Sequence, residues 1–165
     1  MGHTQSQLLE FQLDRNVLDD DRATDLGTAD AGALQETYFL MPVRLKVSEA
    51  ELLKMPPEGR GRLASPWLTL PILHVATVGL HKVQEARESG TSTYTLPGSG
   101  WRLRFAVSGK EISVYSEVSE QGSCARYEEL LQAFEHFAST VREVLSRETP
   151  ELKEHPHWGR WLKTG

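Results

Sequence analysis

Between Thr93 and Val118 apolar and polar residues alternate in short runs separated by turn residues, and this restricts the fold more than any other feature. Tyr94 and Leu96 alternate with Thr93 and Thr95, and Pro97-Gly98-Ser99-Gly100 marks a turn. Trp101, Leu103, Phe105 and Val107 then alternate with Arg102, Arg104 and Ala106. Ser108-Gly109-Lys110 marks a second turn, and Ile112, Val114 and Val118 continue the series. Successive side chains of a strand point to opposite faces, so this stretch predicts a three-stranded meander with one apolar face and one face in water. On that reading Trp101 points to the core, while Arg102, Arg104, Tyr115 and Thr93 share the solvated face.

The apolar face needs a cover, and two segments repeat at helical spacing. Tyr127, Leu130, Leu131, Phe134, Phe137, Ala138, Val141, Val144 and Leu145 predict a helix from about Cys124 to Arg147, with Ser123 as its cap. Ile72, Leu73, Val75, Ala76, Gly79, Leu80, Val83 and Ala86 predict a second, mostly buried helix from near Thr69 to Ser89, with Pro71 in its first turn and Gly90 ending it. His74, Val78, His81 and Glu85 occupy its remaining polar stripe.

Upstream, Phe39, Met41, Val43, Leu45 and Val47 fall on one side of a strand over Tyr38 to Val47. Ser48-Glu49-Ala50-Glu51 has the form of a capping box and predicts a short helix to Met55, stopped by Pro56-Pro57. Glu58-Gly59-Arg60-Gly61-Arg62 reads as a flexible loop. Leu9 to Leu13 alternates as a short strand. Residues 14–36, rich in Asp, Gly and Ala, read as a loop or mobile linker. Thr149-Pro150-Glu151 starts one more short helical turn, and Trp158 and Trp161 are expected to pack back on the body.

Strands that run together rather than alternating with helices predict an α+β fold. The expected form is a two-layer structure, an antiparallel β-meander sheet of four to five strands with two long helices packed on one face. The chain of 165 residues divides into an acidic, partly flexible N-terminal arm over 1–36, with a possible edge strand at 8–13, and a single α+β domain over 37–165.

Charge divides in the same place. Residues 1–36 hold eight Asp or Glu and two Lys or Arg, whereas the remainder holds fifteen and sixteen. Phosphate contacts need clustered cations, so nucleic acid is not expected as a partner; a basic protein is. The single cysteine, Cys124, excludes an internal disulfide, and the first residues lack a basic start followed by an apolar stretch. Both point to a reducing, cytoplasmic setting. The longest mainly apolar run, Leu63 to Leu80, is broken by Pro66, Pro71 and His74 and reads as a buried helix with its lead-in, not a membrane span.

Candidate chemistry is sparse. Cys124, at a predicted helix N-terminus beside Arg126, is the candidate nucleophile, since both features lower a thiol pKa; the plainer reading is a small residue in a first turn. His81 and Glu85 are the candidate metal ligands at i, i+4 spacing, with His74 on the same stripe; the plainer reading is a polar margin of a buried helix. His155-Pro156-His157 reads as helix termination and polar surface. Asp19-Asp20-Asp21 fails the calcium-loop pattern, with Thr24 where glycine is required. No phosphate-loop, Gly-x-Ser-x-Gly, His-Glu-x-x-His or Cys-x-x-Cys motif occurs. No cofactor is expected.

These features favour a non-catalytic protein-binding module, of the immunity or inhibitor type that neutralises a partner such as a bacterial toxin. Asp19, Asp20, Asp21 and Asp25 are the steering candidates, and Arg102, Arg104 and Tyr115 the contact candidates. The alternatives are an enzyme using Cys124 or the His74/His81/Glu85 stripe, and a homodimer joined through a sheet edge or the Trp158/Trp161 tail.

Overall fold

The computed structural model describes residues 7–56 and 66–163. The loop expected at 58–62 lies outside them. Strand β1 (Gln7–Phe11) leads into helices α1 (Arg15–Arg22) and α2 (Ala31–Glu36), then β2 (Leu40–Val47), β3 (Ala50–Glu51) and β4 (Thr69–Pro71). Residues 72–89 run as one helix, α3, built from Ile72–His74, a π-helical turn Val75–Gly79, and Leu80–Ser89. Strands β5 (Thr91–Thr95), β6 (Arg102–Ser108), β7 (Glu111–Ser116) and β8 (Gln121–Arg126) follow. The chain ends with α4 (Tyr127–Glu148), a 3-10 turn (Pro150–Glu154) and α5 (Trp158–Lys163). The fold is α+β, with antiparallel sheets and helices.

The strands divide between two four-stranded sheets instead of joining in one. In the first, β1 pairs with β2 through Leu9 and Leu45, and β3 and β4 pair with the two ends of the other side of β2. In the second, β5 to β8 lie side by side in chain order. The expected alternation holds there: Tyr94, Leu103, Phe105, Ile112 and Val114 are buried. Both long helices meet that inner face. The ring of Phe105 stands edge-on to Phe134 of α4 at 6.3 Å, and Tyr94 stacks on His74 of α3 at 5.5 Å. Trp101 departs from the pattern and is 37% exposed, because it closes the β5–β6 turn beyond the paired strands.

The capping-box reading of 48–51 fails. Ser48 takes a left-handed φ of 53°, and the chain reverses so that Val47 pairs with Ala50 and Lys46 with Glu51. The hairpin places Glu51 against Arg44, whose Nε donates at 3.0 Å and whose terminal nitrogen donates at 2.5 Å. A cross-strand bidentate pair thus replaces the local cap.

The linker reading of 14–36 fails as well. Asp14 and Asp30 cap α1 and α2 by accepting backbone N–H bonds, and Leu18, Leu26 and Leu34 are wholly buried. One leucine per turn or loop is too sparse for a periodic signal, yet each finds a place in the common core. The segment is also held by polar ties. Asp21 Oδ2 accepts the Phe39 N–H at 2.8 Å, and Arg15 pairs with Glu148 at the end of α4.

His155 is buried and forms another tie. Its Nδ1 accepts the N–H groups of His157 at 3.0 Å and Trp158 at 3.1 Å, so the proton sits on Nε2, which donates to the Ala29 carbonyl at 2.6 Å. Trp158 is buried beside it, and its Nε1 donates to Ala31 O at 3.1 Å. Gly159 permits this closure, because a Cβ there would overlap the Lys153 carbonyl.

If residues 18–34 belong to the cooperative core, truncation there costs as much as truncation elsewhere in it. Leu34→Ala and Leu18→Ala are each expected to lower stability by about 2–4 kcal/mol in urea unfolding, with a single transition retained. A loss under about 0.5 kcal/mol, as for a surface site, would refute that.

Candidate functional site

The outward face of the second sheet is a four-strand platform. Its register sets side chains in cross-strand rows: Thr93, Arg104, Tyr115 and Gly122 form one, and Thr91, Ala106, Ser113 and Cys124 the next. The second row is small, so the face dips into a shallow depression of about 530 Å3, open to solvent. Tyr115 stands over it and is 42% exposed, with its ring passing across Gly122.

Arg102 and Arg104 converge on Glu117, just beyond β7. Glu117 accepts the Arg102 backbone N–H at 2.9 Å, its terminal guanidinium nitrogen at 3.0 Å, and Arg104 at 3.2 Å. The side-chain hydrogen bond from Arg102 holds the Glu117 carboxyl below the usual carboxylate range, against an opposing effect of desolvation. Two flexible cations are thereby given fixed positions on the face, with part of their charge offset.

Cys124 belongs to the same face. It is exposed in β8 opposite Ser113, and α4 begins only at Tyr127, after extended Arg126. The predicted helix N-terminus at Cys124 is therefore corrected, and with it the helix-dipole argument for a reactive thiol. The sequence of β8, Gln-Gly-Ser-Cys-Ala-Arg, buries only Ala125 and carries no apolar alternation to mark it as a strand. Glu117 belongs to no motif; its signal in the sequence is an acid shortly after a strand opposite Arg-x-Arg.

The histidine stripe does not assemble. His74 is buried, not marginal, and its Nδ1 lies 2.9 Å from the Tyr94 hydroxyl. The π turn at 75–79 interrupts the 100° phase on which the stripe was read. It brings Gly79 under the Tyr94 and Phe134 rings, where a Cβ would stand 3.2 and 3.3 Å away. His81 and Glu85 do approach each other, at 3.8 Å, on the exposed side. Among the described residues no three His, Cys, Asp or Glu side chains gather as a metal site would require.

The acidic candidates separate. Asp20 and Asp25 are exposed, and Asp19 is exposed but paired with Arg22 at 2.5 Å. Asp21 is half-buried and committed to the Phe39 N–H, with burial raising its carboxyl pKa. It is thus part of the framework.

Compared with family models, curated proteins and solved structures, the chain matches none. Among the described residues no helix is long and apolar enough to cross a membrane.

Two titrations check this geometry. The Glu117 carboxyl, followed by NMR, is expected to titrate below an ordinary glutamate and to move back up in Arg102→Leu; an unchanged midpoint would refute the pairing. For His74 the sign follows from burial, which lowers its folded pKa below 6.5, against a minor opposing effect of Glu36. The unfolded chain then binds the extra proton first. Stability from this residue is full above about pH 6.5 and is lost as pH falls from there to the folded value. Urea midpoints between pH 8 and pH 5 should fall less steeply in His74→Gln than in the parent; parallel slopes would refute the assignment.

Proposed function

We propose that the protein is a non-catalytic protein-binding module, of the inhibitor or immunity type that occludes a partner such as a toxin, and that the open face of the second sheet is its contact surface. The observation that carries this is Tyr115, 42% exposed on a rigid strand beside Arg104, above a shallow depression floored by small side chains. Tyrosine and arginine supply much of the energy of protein interfaces, because each brings large area or several donors at modest entropic cost. The Glu117 clamp reduces that cost further for Arg102 and Arg104.

The acidic residues on α1 and the following loop give the reading its second part. Asp19, Asp20 and Asp25 lie at the surface and set up a field that attracts a basic partner. Steering of this kind speeds encounter and weakens with salt, whereas the sheet face decides residence time.

Full-length protein used as bait in lysate of its source organism is expected to retain a stoichiometric protein partner, with association slowed as salt rises. Tyr115→Ala and Arg104→Ala should each weaken capture about tenfold or more through faster dissociation, and Asp20→Asn with Asp25→Asn should slow association instead. Recovery of no partner at any ionic strength, or capture indifferent to Tyr115 and Arg104, would count against the reading.

A further inference from the structure

The sheet edges are not equally protected. Strand β1 lies against α4, with the rings of Phe11 and Phe137 5.4 Å apart. The opposite side of the first sheet ends in β3 and β4, of two and three residues. On β8 the Tyr127 N–H bonds to the Lys110 carbonyl, which fixes Gln121, Ser123 and Ala125 as the residues bonded to β7 and turns the Cys124 carbonyl outward. That carbonyl accepts the Ser48 hydroxyl at 2.8 Å, so the β2–β3 turn blocks the edge.

Among the described residues, none guards strand β5 in this way. The Gly90 carbonyl accepts from Val107 and the Leu96 N–H donates to Trp101, so the even-numbered residues of this strand bond to β6. The N–H and C=O groups of Thr91, Thr93 and Thr95 therefore face away from the sheet, and all three residues are exposed. The strand carries no proline, no charge and no bulge, the devices that keep edges apart.

We propose that this edge pairs with the same edge of a second copy of the chain, joining two four-stranded sheets into one of eight strands. The strand is self-complementary. Antiparallel pairing about Thr93 sets Thr93 against Thr93 and Thr91 against Thr95 of the other copy, three hydrogen-bonded positions that exchange about six N–H···O bonds. The facing threonines are a favourable cross-strand combination. Helix α3, joined to β5 through Gly90 alone, carries both signs, with Lys82 3.4 Å from Glu85, so a two-fold axis there brings no like-charged patch together. Among the described residues each chain has one such edge, and the pairing uses the edge of each copy, so assembly closes at two. The outward face bearing Tyr115 stays open; Thr91 and Thr93 border it as well, so Tyr115→Ala is the variant that separates the dimer from the partner-binding reading.

The test is sedimentation of the full chain across a concentration series, with amide exchange read residue by residue. The parent is expected to form a dimer in which the Thr91, Thr93 and Thr95 amides are protected like those of Ser92 and Tyr94. Thr93→Lys adds a charge at the axis, and Thr93→Pro removes an N–H that its own sheet does not use; each should weaken dimerisation at least about tenfold with the far-ultraviolet circular dichroism unchanged. Tyr115→Ala should leave the dimer intact. A parent that stays monomeric up to about 1 mM, or fast exchange of the three threonine amides in a dimer, overturns the proposal. So does a dimer that survives both Thr93 variants. If the variants fail to fold, the exchange pattern of the parent decides alone.

Discussion

Everything else in the fold leans on the burial of Tyr94. Its ring lies where β5, α3 and α4 meet, stacked on His74, in contact with Gly79 and close to Phe134. Burial raises the pKa of its hydroxyl strongly, so the phenol stays neutral, and a hydroxyl shut away from water needs a hydrogen-bond partner. His74, whose own pKa is lowered by burial, is that partner. A buried hydroxyl left unpaired costs about 1–3 kcal/mol, so the pair is a condition for the helix lying where it does. The π turn follows from the same contact: it passes a glycine, not a bulkier side chain, over the ring.

With α3 seated on the inner face, no described residue outside the second sheet covers its outward face. Sheets of this kind satisfy their apolar side and leave the other to water, and the polar side can then carry recognition without disturbing the core. Here it holds two arginines fixed by one glutamate, a tyrosine lying across a glycine, and a row of small residues. In the proposed contact role, the hydrogen-bonded strands beneath them would supply the pre-organisation that such a surface needs.

The N-terminal segment shows how polar ties and sparse leucines can substitute for a periodic pattern. Asp21 bonds the start of β2, Arg15 and Arg22 bond the end of α4, and His155 and Trp158 reach back to Ala29 and Ala31. All but the first of these ties join parts of the chain more than a hundred residues apart, so composition alone reads the segment as solvated loop. At Ser48 the competing contact lies nearer in sequence. Its local sequence favours a helix cap, but the cross-strand bond between Arg44 and Glu51 outweighs a cap worth about 1 kcal/mol.

Alternation in 38–47 and 93–116 and helical spacing in 127–145 were legible because local periodicity maps directly onto which face is buried. With the helical spacing in 72–86 they determined the α+β class, four of the strands, the two long helices, and the placement of Arg102, Arg104 and Tyr115 on a solvated face. Only the tertiary structure decided that the strands form two sheets, that β8 exists, that Cys124 joins the arginines' face and that His74 turns inward. Each of those outcomes depends on pairings between distant residues, such as Ser113 with Cys124 or His74 with Tyr94, and such pairings leave no trace in the spacing of neighbours along the chain.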